Sequence, residues 1–296
     1  MAAVLGRRLS SARVVAGRSS LRRSFVGASE VAYNWEDFPE DGVLDENVGC
    51  KSWPGMQWVF LGCPGVGKGT YASRLALGLR VPHIAMGDLV RQELKRDSPL
   101  SKELKDLVSR GKLLPDELVL GLLTKRLEEA SANQDVGFIL DGFPRTASQA
   151  KTLDSIASIT LVVNLRLRED VLVAKCLGRR ICSQCHGNFN VANVDVPETE
   201  TLPRIFMPAI LPPPRCLKKM TMRSDDTEEV IRERVRIYSL ESRPVEDYYR
   251  AQGKLLDFEI LGGIPETWPR LLSALNLQGK IANTSLVSAE KQKIAA

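Results

Sequence analysis

The sequence has no run of about 18 apolar residues, the length that spans a membrane as a helix, so no membrane partner is expected. It has no internal repeat and no glycine period, and its composition excludes collagen, mucin and wholly disordered classes. Acid is missing from residues 1–29, which also lack Lys but hold six Arg, a charge of +6. Removing those six from the 41 Lys and Arg of the chain leaves 35 against 36 Asp and Glu, or −1. The body therefore carries no basic excess to attract a phosphate backbone, and no nucleic-acid partner is expected.

What remains is a chain of 296 residues, 44% hydrophobic, with 22 Gly and 16 Pro. That suffices for one large α/β domain with an insertion, or for two small domains. Residues 1–29, rich in Arg, Ser and Ala and without the apolar stretch of a secretory signal, read as an organellar transit peptide. The expected location is the chloroplast stroma or the mitochondrial matrix. A basic tail with another role is the alternative. Residues 30–56 are acidic and aromatic and read as a locally packed linker; residues 278–296 read as a polar tail.

Between them, over 57–277, short apolar runs alternate with helical patterns. Strands are expected at Gln57–Gly62, Val81–Ala85, Gly137–Asp141, Thr160–Leu165 and Leu255–Ile260. Helices are expected at Lys68–Leu79, Asp88–Lys95, Ser101–Ser109, from Asp116, from Glu169, at Glu228–Tyr249 with a break near Pro244, and at Thr267–Leu275. Continuous apolar strands separated by helices imply a five-stranded parallel sheet covered on both faces.

Gly62-Cys63-Pro64-Gly65-Val66-Gly67-Lys68-Gly69-Thr70 lies between the first strand and the first helix. This is the P-loop pattern G-x-x-x-x-G-K, with Gly69 placed between Lys68 and Thr70. Backbone N–H groups and a helix N-terminus converge on phosphate in this setting, and a Cβ on the loop would block the approach. A loop of this kind does not say which nucleotide is bound or what reaction follows.

A second motif, Asp141-Gly142-Phe143-Pro144-Arg145-Thr146, ends the third strand. With Met86-Gly87-Asp88-Leu89-Val90-Arg91, Gly178-Arg179-Arg180, Arg223-Ser224-Asp225-Asp226 and Arg234, it resembles the adenylate kinase family, in detail its plant organellar members. The resemblance runs from about residue 59 to 275. It implies a P-loop NTPase fold with an AMP-binding insert at 85–114 and a lid at 178–226. It also implies a monomer that catalyses ATP + AMP = 2 ADP with Mg²⁺.

On that resemblance, Gly65, Val66, Gly67, Lys68, Gly69 and Thr70 cradle ATP, Arg179 contacts its phosphates and Phe189 stacks near its base. Met86, Arg91, Gly142, Phe143, Pro144, Arg145 and Gln149 hold AMP, and Lys112, Leu113 and Leu114 line its base pocket. Arg223 and Arg234 bridge the transferring phosphates. Lys68, Arg145, Arg179, Arg223 and Arg234 make up the catalytic set. Asp141 organises Mg²⁺ through water, with Asp88 either assisting it or capping a helix.

The residues support this chemistry independently. Transfer between two nucleotides gathers many negative charges, and arginine forks suit them. No nucleophilic side chain is needed, because the acceptor phosphate attacks. Two departures from the family concern the bases: Met86 stands where Thr is usual, and Lys175 where Arg is usual.

Cys182-Ser183-Gln184-Cys185 has the spacing of a zinc knuckle, and Cys216 adds a third thiol. Some family members hold zinc in this lid with a second pair. Here Lys219 stands three residues after Cys216 and cannot ligate, and His186 is awkwardly adjacent to Cys185. No structural zinc is expected, and Cys182 and Cys185 are expected as free or redox-active thiols. Competing readings are a related kinase with another donor or acceptor base, a non-catalytic P-loop nucleotide-binding protein, and a Cys-rich nucleic-acid module near 182–216.

Overall fold

A computed structural model describes residues 33–34, 55–96, 99–132, 137–185, 187–200 and 202–278. The expected transit peptide, His186, nearly all of the expected linker and all but the first residue of the expected tail lie outside the described residues. Tyr33–Asn34, labelled β1, falls inside the linker and pairs in parallel with Ile210–Leu211 (β10), a pairing far along the chain. Among the described residues, no helix is long and apolar enough to cross a membrane.

The central sheet consists of β2 (Gln57–Gly62), β3 (His83–Ala85), β4 (Phe138–Asp141), β5 (Leu161–Arg166) and β12 (Leu255–Glu259). Their order is β12-β5-β2-β4-β3, and every pairing is parallel. Side chains alternate between sheet faces with a period of two residues, and the core divides accordingly. Val59, Leu61, Phe138, Leu140 and Val162 pack into one apolar cluster, while Phe60, Ile139, Val163, Leu165 and Phe258 pack into the other. Both faces are thus buried by helices. Full burial of a side chain such as Phe60 contributes about 1.5–3 kcal/mol.

α1 (Lys68–Leu79) buries Tyr71, Ala72, Leu75, Ala76 and Leu79, a one-sided stripe at helical spacing. α2 (Met86–Leu94), α3 (Pro99–Ser109) and α4 (Asp116–Ala132) follow β3, and α6 (Glu169–Leu177) follows β5. α5 (Ala147–Ile156) was not expected from the pattern. Its local cause is Thr146, whose hydroxyl accepts the Gln149 N–H at 3.2 Å and caps the first turn.

α7 (Glu228–Ala251) also corrects an expectation, since it runs unbroken through Pro244. Proline removes one ladder hydrogen bond, at a cost of about 3 kcal/mol inside a helix. Buried Val245 and Tyr249 hold the following turns against the core, and the Ser242 hydroxyl donates to the Tyr238 carbonyl just before the proline. α8 (Ile264–Ala274) completes the layer.

A second sheet takes four of its strands from the segment between α6 and α7. It contains β6 (Arg179–Cys182), β7 (Asn188–Asn190), β10 and β11 (Met220–Thr221), with β1 added at the edge beside β10, in the order β1-β10-β7-β6-β11. β8 (Val194–Val196) and β9 (Ile205–Met207) form an antiparallel hairpin beside it.

Candidate functional site

In an open parallel sheet the ligand crevice lies outside the carboxyl ends of the strands. A cleft of about 380 Å³ occurs there, and its lining includes Gly62 from β2, Ala85 from β3 and Asp141 from β4. This volume falls within the range of small-molecule sites.

The loop from Gly62 to Gly67 is shaped by three glycines with left-handed φ: Gly62 at 142°, Gly65 at 87° and Gly67 at 98°. A Cβ on Gly65 would lie 2.7 Å from Cys176 Sγ and 2.8 Å from the Leu172 carbonyl. The loop therefore needs glycine for conformation and for close approach alike. Gly67 caps α1, so the first N–H groups of that helix open toward the cleft. Lys68 folds over the loop, its Nζ donating to the carbonyls of Gly62 at 2.7 Å and Cys63 at 3.2 Å. Burial pushes its pKa down, and Asp141 partly restores it.

Cations from several elements surround this loop. Arg91 comes from α2, Arg145 from the turn before α5, Arg179 from β6, Arg223 from the segment after β11 and Arg234 from α7; all line the cleft. Three are held by acids. Arg91 pairs with Asp88, Arg179 donates through Nε and Nη2 to Asp226, and Arg234 reaches Asp225 at 2.7 Å. Burial works against the charge of Arg179, but the hydrogen bonds of Asp226 outweigh it and its pKa rises.

Lys68, Arg145 and Arg223 have no carboxylate partner among the described residues. Arg145 Nε donates only to the Gly142 carbonyl at 3.0 Å, and the Nε of Arg223 is buried without a partner. Burial, with Arg234 and Arg91 adding repulsion, pushes the Arg145 pKa down to about 10. Arg223 is also pushed down to about 10, by burial and then by Arg179 and Arg91. Cations that depress one another around an open cleft form a site for a polyanion.

Not every expected residue faces the cleft. Gly65 to Thr70, Arg91, Leu113, Asp141, Gly142, Pro144, Arg145, Arg179, Phe189, Arg223 and Arg234 line it, while Met86, Lys112, Leu114, Phe143 and Gln149 do not. Met86 and Phe143 are buried in the apolar cluster with Ile84 and Val90, and Leu114 packs on its edge. Lys112 is exposed. Gln149 supports the wall: its Oε1 accepts the Arg145 N–H at 2.8 Å, and its Nε2 donates to Asp116 at 2.7 Å. Asp88 pairs with Arg91 within the first turns of α2, whose N-cap position is taken by Ala85.

The cleft also includes residues absent from the expected set, among them His83, Lys175, Tyr238 and Glu241. Tyr238 and Glu241 follow Arg234 at helical spacings of four and seven, which places them on its face of α7. His83 opens β3, with Nε2 3.9 Å from Asp141 Oδ2, and burial pushes its pKa down. Lys175, near the end of α6, is pushed down to about 8 by burial.

The residues present suit a hard divalent cation. A Cβ on Gly69 would lie 3.3 Å from Asp141 Oδ2, so this carboxylate faces the phosphate loop directly. Asp141 and the Thr70 hydroxyl are oxygen donors of the type Mg²⁺ prefers.

The sequence matches the family model described as adenylate kinase over residues 60–254. It is similar to the probable chloroplastic adenylate kinase 6 of Oryza sativa subsp. japonica, 60% identical over 222 residues, 75% of this chain and 78% of that one. It is also similar to the chloroplastic adenylate kinase 1 of Arabidopsis thaliana, 56% identical over 241 residues, 81% of this chain and 82% of that one. A third relative, the probable mitochondrial adenylate kinase 7 of Arabidopsis thaliana, is 39% identical over 277 residues, 90% of this chain and 92% of that one.

Proposed function

Because the chain belongs to the adenylate kinase family, we propose that its cleft moves a phosphoryl group from ATP to AMP, giving two ADP. The observation that carries this reading is the set of cations without an ion-pair partner among the described residues, Lys68, Arg145 and Arg223, turned onto one cleft with Arg91, Arg179 and Arg234 around them. A switch that only bound one nucleotide would not need cations on both sides of the phosphate loop.

The loop from Gly65 to Thr70 receives the ATP phosphates through backbone N–H groups, and Lys68 leaves its carbonyl partners to reach the transferring group. Phe189 offers its ring to the donor base. Arg91 and Arg145 receive the AMP phosphate, beside Leu113. Gln149 fixes the backbone of Arg145 rather than touching AMP, and so acts as a positioning residue. Arg179, Arg223 and Arg234 converge on the phosphates in transfer, where fixed cations stabilise developing charge without reorganising. Bound Mg²⁺ would neutralise charge on the donor phosphates, with Asp141 holding its hydration shell and Thr70 beside it.

The segment 178–226, which carries most of the second sheet, serves as a lid over the donor, and 85–114 as the acceptor insert. Closure of the lid over the cleft excludes water and so limits ATP hydrolysis. The whole cation set comes from one chain, which suits a monomer. Residues 1–29 direct the protein to an organelle, in line with the chloroplastic and mitochondrial names of relatives.

A coupled assay of ADP formation tests the reading. Turnover should require ATP, AMP and Mg²⁺ together. Phosphate release from ATP at the same rate without AMP would overturn it.

A further inference from the structure

The second sheet carries a thiol cluster that phosphoryl transfer does not use. Cys182 ends β6, Cys185 lies in the turn before β7, and Cys216 precedes the short 3-10 turn at Leu217–Lys219. Their three sulfurs lie within 4.8 Å of one another. Cys185 is exposed, whereas Cys182 and Cys216 are buried. The sulfurs of Cys185 and Cys216 are 3.6 Å apart, although 31 residues separate them in sequence. We propose that Cys185 and Cys216 form a reversible disulfide by exchange with soluble disulfides and dithiols, and that this bond lowers the affinity of the donor site.

The geometry fits such a step. A disulfide bond is about 2.05 Å long, so each sulfur has less than an ångström to move. Loop segments, not the sheet, carry both residues. A non-metal clasp already holds these segments together: the Ser183 N–H donates to the Lys219 carbonyl at 2.9 Å, and Lys219 Nζ donates to Gln184 Oε1. Lys219 thus ties its ammonium to Gln184 and supplies no thiolate or carboxylate to the cluster, whereas a closed zinc site would need a fourth ligand.

Exposure sets the order of events. The thiolate of Cys185 attacks one sulfur of a soluble disulfide RSSR and releases RS⁻. The thiolate of Cys216, reachable only from within, attacks Cys185 Sγ and releases the second RS⁻. Two protein thiols lose two protons and two electrons, and RSSR becomes two RSH. A dithiol reverses both steps. Cys182 stays a thiol.

The link to the cleft is Phe189. Its ring packs in one cluster with Cys182 and Cys216 and also lines the cleft. A Cβ on Gly187 would lie 3.1 Å from the Phe189 ring and 3.3 Å from Cys185 Sγ, so the moving sulfur and the ring border the same small space. Drawing Cys185 toward Cys216 changes the support under the ring that faces the donor base. This second half of the proposal rests on the assignment of the donor site given above; the disulfide itself does not.

The test uses the full chain, reduced with dithiothreitol or oxidised with glutathione disulfide. Peptide mapping should find a Cys185–Cys216 link only in the oxidised sample, reversed by dithiothreitol. Oxidation should raise the KM for ATP several-fold and leave the KM for AMP unchanged. Cys185→Ser should match the reduced wild type and ignore oxidation; because Cys185 is exposed, this variant avoids the folding risk of changing Cys216. A disulfide through Cys182, no disulfide, or stoichiometric zinc on the cluster of protein purified without chelator would overturn the proposal. So would a mapped Cys185–Cys216 link that leaves the KM for ATP unchanged. If the reduced protein makes no ADP, the kinase reading fails while the mapping result still stands by itself.

Discussion

Replacing Arg223 by Met should make the free protein more stable and the enzyme far slower. The guanidinium lines the cleft with its Nε buried and without a partner, in the company of Arg179 and Arg91. Burial and these neighbours push its pKa from the ordinary guanidinium range down to about 10. At about 1.4 kcal/mol per pH unit, that displacement corresponds to roughly 3 kcal/mol against the charged form. Solvent in the half-open cleft screens part of it, leaving roughly 1–2 kcal/mol. A base with a lowered folded-state pKa costs the fold its full amount at every pH below that value, so the cost is present at neutral pH. Met keeps most of the side-chain volume and removes the charge. Denaturant unfolding at pH 7 should therefore show a gain of roughly 1 kcal/mol. Turnover should fall about a hundred- to a thousandfold, the usual cost of losing one preorganised contact to transition-state charge. A variant that is less stable than wild type and turns over normally would refute the argument on both counts.

Lys68→Ala and Arg145→Ala should each reduce turnover by about a hundred- to a thousandfold with the fold intact by circular dichroism; wild-type ADP formation by either folded variant would contradict the assignment. Gln149→Ala removes the acceptor for the Arg145 N–H and the link to Asp116, so the KM for AMP should rise more than the KM for ATP. Lys175 loses its charge as pH rises through about 8, so ATP affinity should fall over that range. Lys175→Arg should remove that dependence.

The sheet was legible because its strands are continuous apolar runs that only a doubly covered parallel sheet can bury, and Val59 and Phe60 do face opposite clusters. The phosphate loop was legible because Gly65 and Gly67 sit where no Cβ fits the backbone. α5 was not, since Ala147–Ile156 buries only Gln149, Ala150 and Leu153 and its start depends on the Thr146 cap. Pro244 misled because local propensity yields to the burial of Val245 and Tyr249. Around the cleft, charge in motifs picked out the cations that line it. Their partners were harder to read: the pairing of Arg179 with Asp226 and of Arg234 with Asp225 depends on how the segment after β11 packs against α7. Met86, Phe143 and Gln149 sit in the right motifs but turn inward, and sequence gives no sign of which way a side chain points from a turn.

The central claim is transfer between two nucleotides in a cleft built from the cations of one chain. The most direct measurement supplies ADP and Mg²⁺ alone and follows the products by phosphorus NMR. ATP and AMP should appear in equal amounts, with no matching release of inorganic phosphate. Inorganic phosphate as the main product, or ADP left unchanged by folded protein, would contradict it.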